Sequence, residues 1–394
     1  MYSSIIYKKH KCFLLNKMTS FKYKLYPCDH SNIDHQINVA CFIYNHCIAL
    51  KKRYYKRFKK SLSISKLKAH IAKIKHRGRF GFFKEINSQT TQDIIERIEK
   101  GYQAFFKKQN KHTPDFKGKK RYNSITFKQT GYKYLGENKI QILGKTFGFF
   151  LSRPVEGQIK TVTIKRDSLG DHYVCFVTDF VRKKSKQATC KGCGFDFGLK
   201  TFLATSDGEK IESPLYLKQS LKKLKAANKK LSRRVKGSKR WNRARLEVAR
   251  IHRKINNQRL DFTFKLTKDL AERYDELYFE DLNMKGMQKL WGRKVSDLAF
   301  GDFLKIQEYR CHQYSDVFAK IDRFEPTTPI CSVCGYRHPG LGLNERSWTC
   351  PICGTVHDRD INSATNVYKV GRSLSTSLGN VRPILAKREL AIAV

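Results

Sequence analysis

The chain has 394 residues, with 80 Lys and Arg against 34 Asp and Glu and a formal charge of +46. Self-repulsion on that scale calls for an anionic partner. No apolar run approaches the roughly 18 residues needed to cross a bilayer, so the expected partner is RNA or DNA and not a membrane. Hydrophobic residues make up 40% of the sequence, ample for two to four domains. The opening MYSSIIYKKHKCFLLNK lacks the apolar core and small-residue cleavage site of a signal peptide. The expected location is therefore a reducing one, cytoplasm or nucleoid, with Cys12, Cys28, Cys41, Cys47, Cys175, Cys190, Cys193 and Cys311 as free thiols.

Ordered patterning begins at FKYKLYP, which makes Met18 a candidate start. FKYKLY alternates as a short strand, ended by Pro27. Ile37, Ala40, Ile43 and Cys47 then recur at helical spacing and lead into KKRYYKRFKK. That run sets Tyr54, Tyr55 and Phe58 among cations, a pattern suited to phosphate tracking and stacking, with Lys51, Lys52, Arg53, Tyr54, Lys56 and Arg57 as candidate contacts. A further helix is expected after Ser88, with Ile94, Ile98, Tyr102 and Phe105 on its core face. HTPDFKGKKRYNS breaks the helical pattern and adds Lys117, Lys119 and Lys120 as candidate contacts. The period then switches to two in ITF, KTFGFFLSR, IKTVTIKR and HYVCFVTDF, which suggests a small antiparallel barrel or sheet.

CGFDFGLKTFLATSDG opens the next region, with Asp196 inside an apolar strand and a hairpin closed near Asp207–Gly208. A charge so placed must meet a partner or a metal. From Pro214 to about Leu270 a helical hairpin is expected, turning at Gly237 and marked by Leu217, Leu221, Leu224 and Leu231, then by Trp241, Ala244, Val248, Ile251, Ile255, Phe262 and Leu266. Its exposed faces are nearly all cationic, with Arg233, Arg234, Arg240, Arg243, Arg250 and Arg253 as candidate contacts to a phosphate backbone. Leu277 to Phe279 reads as a buried strand ending in Glu280 and Asp281. Residues 300–320 read as a helix, KIDRF at 320–324 as a strand, and INSATNVYKV after Asp360 as another helix. The tail from Gly371 has weak periodicity and is expected to be disordered.

Cys331 and Cys334, then Cys350 and Cys353, form two C-x-x-C pairs fifteen residues apart, each followed by glycine. That is the spacing of a closed four-thiolate shell around one structural Zn2+. Asp358 and Asp360 follow at once. Carboxylates such as Asp196, Glu280 and Asp360 gathered on one sheet edge would suit two Mg2+ or Mn2+ ions about 3.5–4 Å apart for in-line attack on a phosphodiester. On spacing alone Asp207, Asp281 and Asp358 remain rivals.

FDFGLKTFLATSDG, FEDLNMKGM and the segment Cys331–Asn366 closely resemble the three motifs of TnpB proteins, transposon-encoded nucleases related to type V CRISPR effectors. The last motif stands here as Leu343, Arg346, Trp348, Cys350, Cys353, Gly354 and His357-Asp358-Arg359-Asp360-Ile361-Asn362, with Ser363 and Val367 where the family usually has Ala and Ile. FKYKLYP and PDFKGKKRYNSITF extend the likeness over almost the whole chain. The resemblance implies an α/β fold with an RNase H-like (RuvC) nuclease domain over 189–370, carrying the basic hairpin at 214–270 and the zinc ribbon at 328–356. It also implies a wedge-like β-barrel from 18–30 and 118–188, with a helical recognition insertion at 31–117. Asp196, Glu280 and Asp360 become the catalytic acids. A guide RNA from the transposon end would direct cleavage of target double-stranded DNA beside a short adjacent motif. The rivals are a transposase that joins strands through a 3′-hydroxyl, a guided binder that no longer cuts, and a zinc-stabilised DNA binder without chemistry.

A chain this basic should bind nucleic acid with a steep salt dependence, because each neutralised phosphate releases counterions. Affinity measured between 50 and 200 mM salt is expected to fall by about 10³-fold or more if six or more phosphates are contacted. An affinity unmoved by salt would refute the electrostatic reading.

Overall fold

The computed structural model describes residues 18–181, 186–199, 201–314, 316–342 and 344–377. The chain divides into two compact units, Met1–Arg182 and Lys183–Val394. Leu343, the residues before Met18 and those after Ser377 lie outside the described residues.

In the first unit, β1 (Thr19–Lys24) is followed by helices α1 (Ser31–Phe58), α2 (Ile64–Ile74) and α3 (Ser88–Phe106), then by β2 (Ser124–Phe127), β3 (Tyr132–Tyr134), β4 (Lys139–Ile142), β5 (Lys145–Gly148), β6 (Ile159–Arg166) and β7 (His172–Thr178). The strands form an antiparallel sheet in the order β1-β7-β6-β2 and a second in the order β3-β4-β5. A bridge from Leu25 to Phe149 joins them. Strict alternation explains the larger sheet: His172, Val174, Phe176 and Thr178 of β7 are buried while the residues between them are half-exposed. The period-two pattern thus marked the strands, but β5 is shorter than the expected run to Arg153, and β3 and β4 escaped notice. Three- and four-residue strands with two buried isoleucines, Ile140 and Ile142, carry too little alternation to read.

In the second unit the elements are β8 (Gly192–Asp196), β9 (Thr201–Thr205), β10 (Lys210–Glu212), α4 (Tyr216–Ser232), α5 (Lys239–Arg273), β11 (Glu276–Glu280), α6 (Met284–Leu298), α7 (Phe300–Tyr314), β12 (Val317–Ile321), β13 (Ser347–Thr349), β14 (Val356–Asp358) and α8 (Arg359–Ser377). One mixed sheet runs β10-β9-β8-β11-β12, with β8, β11 and β12 parallel and β9 and β10 antiparallel to their neighbours. The Asp207–Gly208 turn closes β9 onto β10, and β8 pairs with β9 antiparallel.

Parity decides what each face of this sheet does. Cys193, Phe195, Leu277 and Phe279 enter one apolar core with Phe300 and Phe303 of α7. Tyr278 instead belongs to a separate core with Val367 and Tyr368 of α8. Gly194, Asp196 and Glu280 share the α8 side by the same alternation. Glycine is required at 194 because a Cβ there would overlap the Ala364 carbonyl and lie 2.8 Å from the Tyr368 Cα.

Four expected boundaries are corrected. The helix placed over 300–320 ends at Tyr314, and the following strand is Val317–Ile321, not 320–324. Burial of β11 against β12 in register, Glu276 to Val317 through Glu280 to Ile321, sets that position. The tail does not become irregular at Gly371: α8 continues through Ser377, and Gly371 packs against the Tyr278 ring, 2.9 Å from its Cβ if a side chain were added. The hairpin also runs past Leu270 to Arg273.

Gly194→Ala should therefore destabilise this unit by about 1–3 kcal/mol or more, since neither backbone carbonyl nor helix can step aside as a side chain would. A thermal melt of the full chain checks this. An unchanged melting temperature would mean that α8 does not sit this close to β8.

Candidate active site

Asp196 ends β8 and Glu280 ends β11, two parallel neighbours in which Phe195 faces Phe279. The next register position therefore sets the two carboxylates side by side on adjacent strands, on the face α8 covers. Asp360 lies in the first turn of α8. Burial pushes the Asp196 carboxyl well above the usual carboxylate range, and the nearby Glu280 and Asp360 charges push it further, against Arg359 and the Phe197 N–H, which pull it down. Burial likewise raises Glu280, with partial relief from the Thr327 hydroxyl.

Hydrogen bonds hold these acids against their mutual repulsion. Asp358 accepts from the backbone N–H groups of Asp360 at 3.1 Å and Ile361 at 3.2 Å, which caps α8, and its other oxygen pairs with Lys210 at 2.7 Å. Burial alone would raise Asp358, but Lys210 and the two N–H donors hold its carboxyl below the ordinary range. Of the sequence rivals, Asp358 thus positions, Asp281 pairs with Arg323, and Asp207 accepts from the Tyr274 hydroxyl at 2.9 Å. The Thr327 hydroxyl donates to Glu280 Oε1 at 2.6 Å and lies 3.0 Å from the Ser363 hydroxyl. Both hydroxyl residues are buried. Neither Thr327 nor Asn366 drew notice in the sequence, because a lone Thr or Asn carries no spacing signal.

The four cysteines come together as expected. Their Sγ atoms all lie within 4.8 Å of one another, with Cys331 to Cys353 at 3.7 Å and Cys334 to Cys350 at 3.5 Å. A tetrahedral zinc at about 2.3 Å from each sulfur has edges near 3.8 Å, so the donor set fits. Gly335 and Gly354 take positive φ of 78° and 69°, and each donates its N–H to the carbonyl of the first cysteine of its pair. His357 is buried, with Nε2 3.0 Å from Cys331 Sγ and its ring 4.7 Å from that of Trp348.

The ribbon and the acids are one assembly. Asn362 of α8 accepts from the Ser332 N–H at 2.8 Å and donates to the Ile330 carbonyl at 2.7 Å. Asn366, one turn on, donates to the carbonyls of Thr327 at 2.8 Å and Ile330 at 2.7 Å. Arg346 donates to Asp360 Oδ1 at 3.3 Å, and Arg359 to the Gly342 carbonyl at 2.7 Å.

The expected nucleic-acid contacts divide. Lys51 is a correction: it is buried, pairs with Glu99 at 2.7 Å, donates to the Leu62 carbonyl and sits over the Tyr102 ring, so it ties α1 to α3 instead of facing a ligand. Lys52 pairs with Asp115 at 2.6 Å. Arg53, Lys56 and Arg57 are exposed, and Tyr54 is half-buried against Phe58. Lys117, Lys119 and Lys120 are exposed, with Lys119 over the Phe42 ring. On the hairpin Arg233, Arg234, Arg240, Arg243 and Arg250 are exposed, while Arg253 is half-buried and engaged within the protein.

The family model described as a probable transposase matches residues 172–290, and that of the Cas12f1-like TNB domain matches 300–367. A Streptomyces pristinaespiralis protein, provisionally named an RNA-guided DNA endonuclease, is 30% identical over 373 residues, 92% of each chain. The chain belongs to the TnpB family. A similarly named Escherichia coli K12 protein, InsQ, is 24% identical over 382 residues, covering 91% of this chain and 94% of that one. Among solved structures, the Cas12f1–sgRNA–target DNA complex aligns with a TM-score of 0.58 at 15% identity over 86% of this chain and 82% of that one. The mini RNA-guided endonuclease Cas_phi3 aligns with a TM-score of 0.51 at 11% identity, over 90% and 92%. These likenesses show that the TnpB-family chain has the mixed α/β, RuvC-like effector fold.

The raised Asp196 carboxyl has a direct consequence for stability. A folded-state value above the unfolded one costs nothing below the ordinary carboxylate range, then destabilises progressively as pH rises towards the folded value. Asp196→Asn should therefore raise the melting temperature at pH 7.5 in magnesium-free buffer, by about 2–4 °C for each kcal/mol relieved, and the gain should shrink towards pH 4. An equal or lower melting temperature at pH 7.5 would refute the mutual repulsion.

Proposed function

We propose that this chain is an RNA-guided DNA endonuclease that cleaves by metal-dependent phosphodiester hydrolysis. The observation that carries the reading is the gathering of Asp196, Glu280 and Asp360 at one sheet edge, where burial raises both Asp196 and Glu280 and the neighbouring carboxylates raise Asp196 further. The donor set is all carboxylate oxygen, the chemistry of magnesium or manganese. Bound there, two such ions would supply activation of a water and stabilisation of the departing 3′ oxygen. The protein's own part is placement. Thr327 fixes the Glu280 carboxylate, Asp358 and Arg346 fix Asp360, and the α8–β8 contact fixes Asp196 relative to both.

The remaining roles follow from charge and from relatives named or solved as guided endonucleases. A guide RNA derived from the transposon end pairs with target DNA beside a short adjacent motif. The cationic α4–α5 hairpin holds the phosphate backbone without reading sequence. In the first unit, the β-strands act as a wedge-like barrel and the helices over 31–117 as a recognition insertion. Zinc held by Cys331, Cys334, Cys350 and Cys353 fixes the start of α8.

The test begins with full-length protein co-expressed with the flanking transposon end, followed by sequencing of the RNA that co-purifies. That complex is challenged in magnesium with plasmids carrying a matched target beside randomised neighbours. A defined RNA and plasmid cutting are expected, with cutting abolished in Asp196→Ala. Thr327→Val, which keeps the shape but removes the hydroxyl, should slow cutting on the order of tenfold while leaving RNA loading intact. Target binding without cutting by the unmodified protein would leave a guided binder, and strand-joined products would return the reading to transposase.

A further inference from the structure

The first unit contains a cavity of about 360 Å³ between helices α1 and α3 and the segment 110–124 that leads into β2. Its volume is at the small end of the range for specific ligand sites, roughly 300–1,000 Å³. Tyr44 and Tyr122 give it an aromatic wall, Lys117 and Arg121 line it with positive charge, and Asn110 and Asn123 add amides. Among the described residues neither Lys117 nor Arg121 has a carboxylate within ion-pair distance. The one acid in the lining, Asp115, already pairs with Lys52 at 2.6 Å and accepts the Phe116 N–H at 2.8 Å.

The cavity is built, not left over. The Asn45 amide grips residue 117 from both sides, accepting the Lys117 N–H and donating to its carbonyl, each at 2.8 Å. That grip places the ammonium 4.9 Å from the Tyr44 ring centre and 5.9 Å from that of Tyr122. Gly101 allows Pro114 to press onto α3: a Cβ there would lie 2.7 Å from Pro114 Cγ. The Tyr122 hydroxyl is buried and has no hydrogen-bond partner among the described residues. A polar group left so is costly unless a ligand or local opening satisfies it.

Apolar ring edges from the buried Tyr44 and Tyr122, cations for a phosphate and amides for a polar edge are together suited to a single nucleotide. We propose that this cavity takes one unpaired nucleotide of the guide RNA, turned out of its strand, with its phosphate at Lys117 and Arg121. The inference rests on the guided reading above and adds a site to it. RNA is favoured over a free nucleotide because Lys119 and Lys120 continue the cationic track within the same segment, as a polymer backbone requires. It is favoured over target duplex because unpaired bases are available in RNA loops and ends.

The experiment uses the full-length protein with its co-purified RNA. Ultraviolet crosslinking and mass spectrometry should join one RNA position to a peptide containing Tyr44 or Tyr122. Chemical probing should show the same position altered by the protein. In Lys117→Gln/Arg121→Gln both signals should vanish at that position while the remaining footprint persists, and RNA affinity should fall on the order of tenfold. Tyr122→Phe, which retains the buried ring, should weaken the crosslinked position with an unchanged melting temperature. Crosslinks scattered along the RNA, or a single one indifferent to both variants, would overturn the proposal while leaving guided cleavage intact. If no defined RNA co-purifies, the guided reading fails first. Saturable binding of AMP or GMP to the free protein, lost in the double variant, would then assign the cavity to free nucleotides and overturn its RNA occupant.

Discussion

Like charges held together at one sheet edge are the constraint on which the second unit depends. Asp196, Glu280 and Asp360 repel one another, and burial removes the water that would screen them. A fold that keeps such a cluster must fix each carboxylate by something stronger than its neighbours' repulsion. Two of the acids are fixed by parallel strands in register and the third by a helix whose first turn is capped. The glycine at 194 is the joint between these devices, because any side chain there would drive α8 off the sheet. The cost of that closeness is met by apolar burial on both faces, with the phenylalanine cluster around Phe279, Phe300 and Phe303 below and Tyr278 with Val367 above.

The zinc ribbon makes sense as part of the same constraint. Four sulfurs closed around an ion leave no open position for chemistry, and the ribbon is tied to α8 through Asn362 and Asn366. Asn362 and Asn366 clamp the segment 327–332 along one helix face at a spacing of four residues, one above the other. From that segment Thr327 reaches Glu280. A rigid knuckle thus transmits position to an acid on the far strand through two side-chain contacts. Ser363 sits inside this relay with its hydroxyl 3.0 Å from that of Thr327. Its hydroxyl adds a second polar group to the buried pocket in which Thr327 meets Glu280.

Charge has opposite roles inside and outside. The surface of the α4–α5 hairpin leaves Arg233, Arg234, Arg240, Arg243 and Arg250 in solvent, where repulsion is screened and a polyanion can replace counterions. Lys51 opens the same kind of cationic sequence, which continues to Lys60, yet it is buried and paired with Glu99. Composition cannot separate the two cases. The distinction depends on which face of α1 meets α3, and the dense run of cations in its last turns blurs the 3.6-residue signal that would reveal it.

How much the sequence disclosed follows from the same physics. The cysteine pairs and the long helices were legible because each needs a fixed spacing or a run of several turns, whereas spacing left Asp207, Asp281 and Asp358 as rivals to the three acids until the family resemblance chose among them. The boundary between α7 and β12 was misplaced because VFAKI is compatible with either state, and only its pairing to β11 decides for the strand. Short strands β3 and β4 failed for want of length. The relay from Asn366 and Thr327 to Glu280 was invisible for a different reason: its members lie up to 86 residues apart and touch only because α8 folds back over the sheet. Residues that bear charge at the site announce themselves locally, whereas those that hold the charge in place are defined by the fold. The same division separates the three acids from Lys117 and Tyr122, whose cavity exists only once Pro114 has settled against Gly101. Chemistry of a single atom can be read from a motif, but a cavity belongs to the surfaces that close around it.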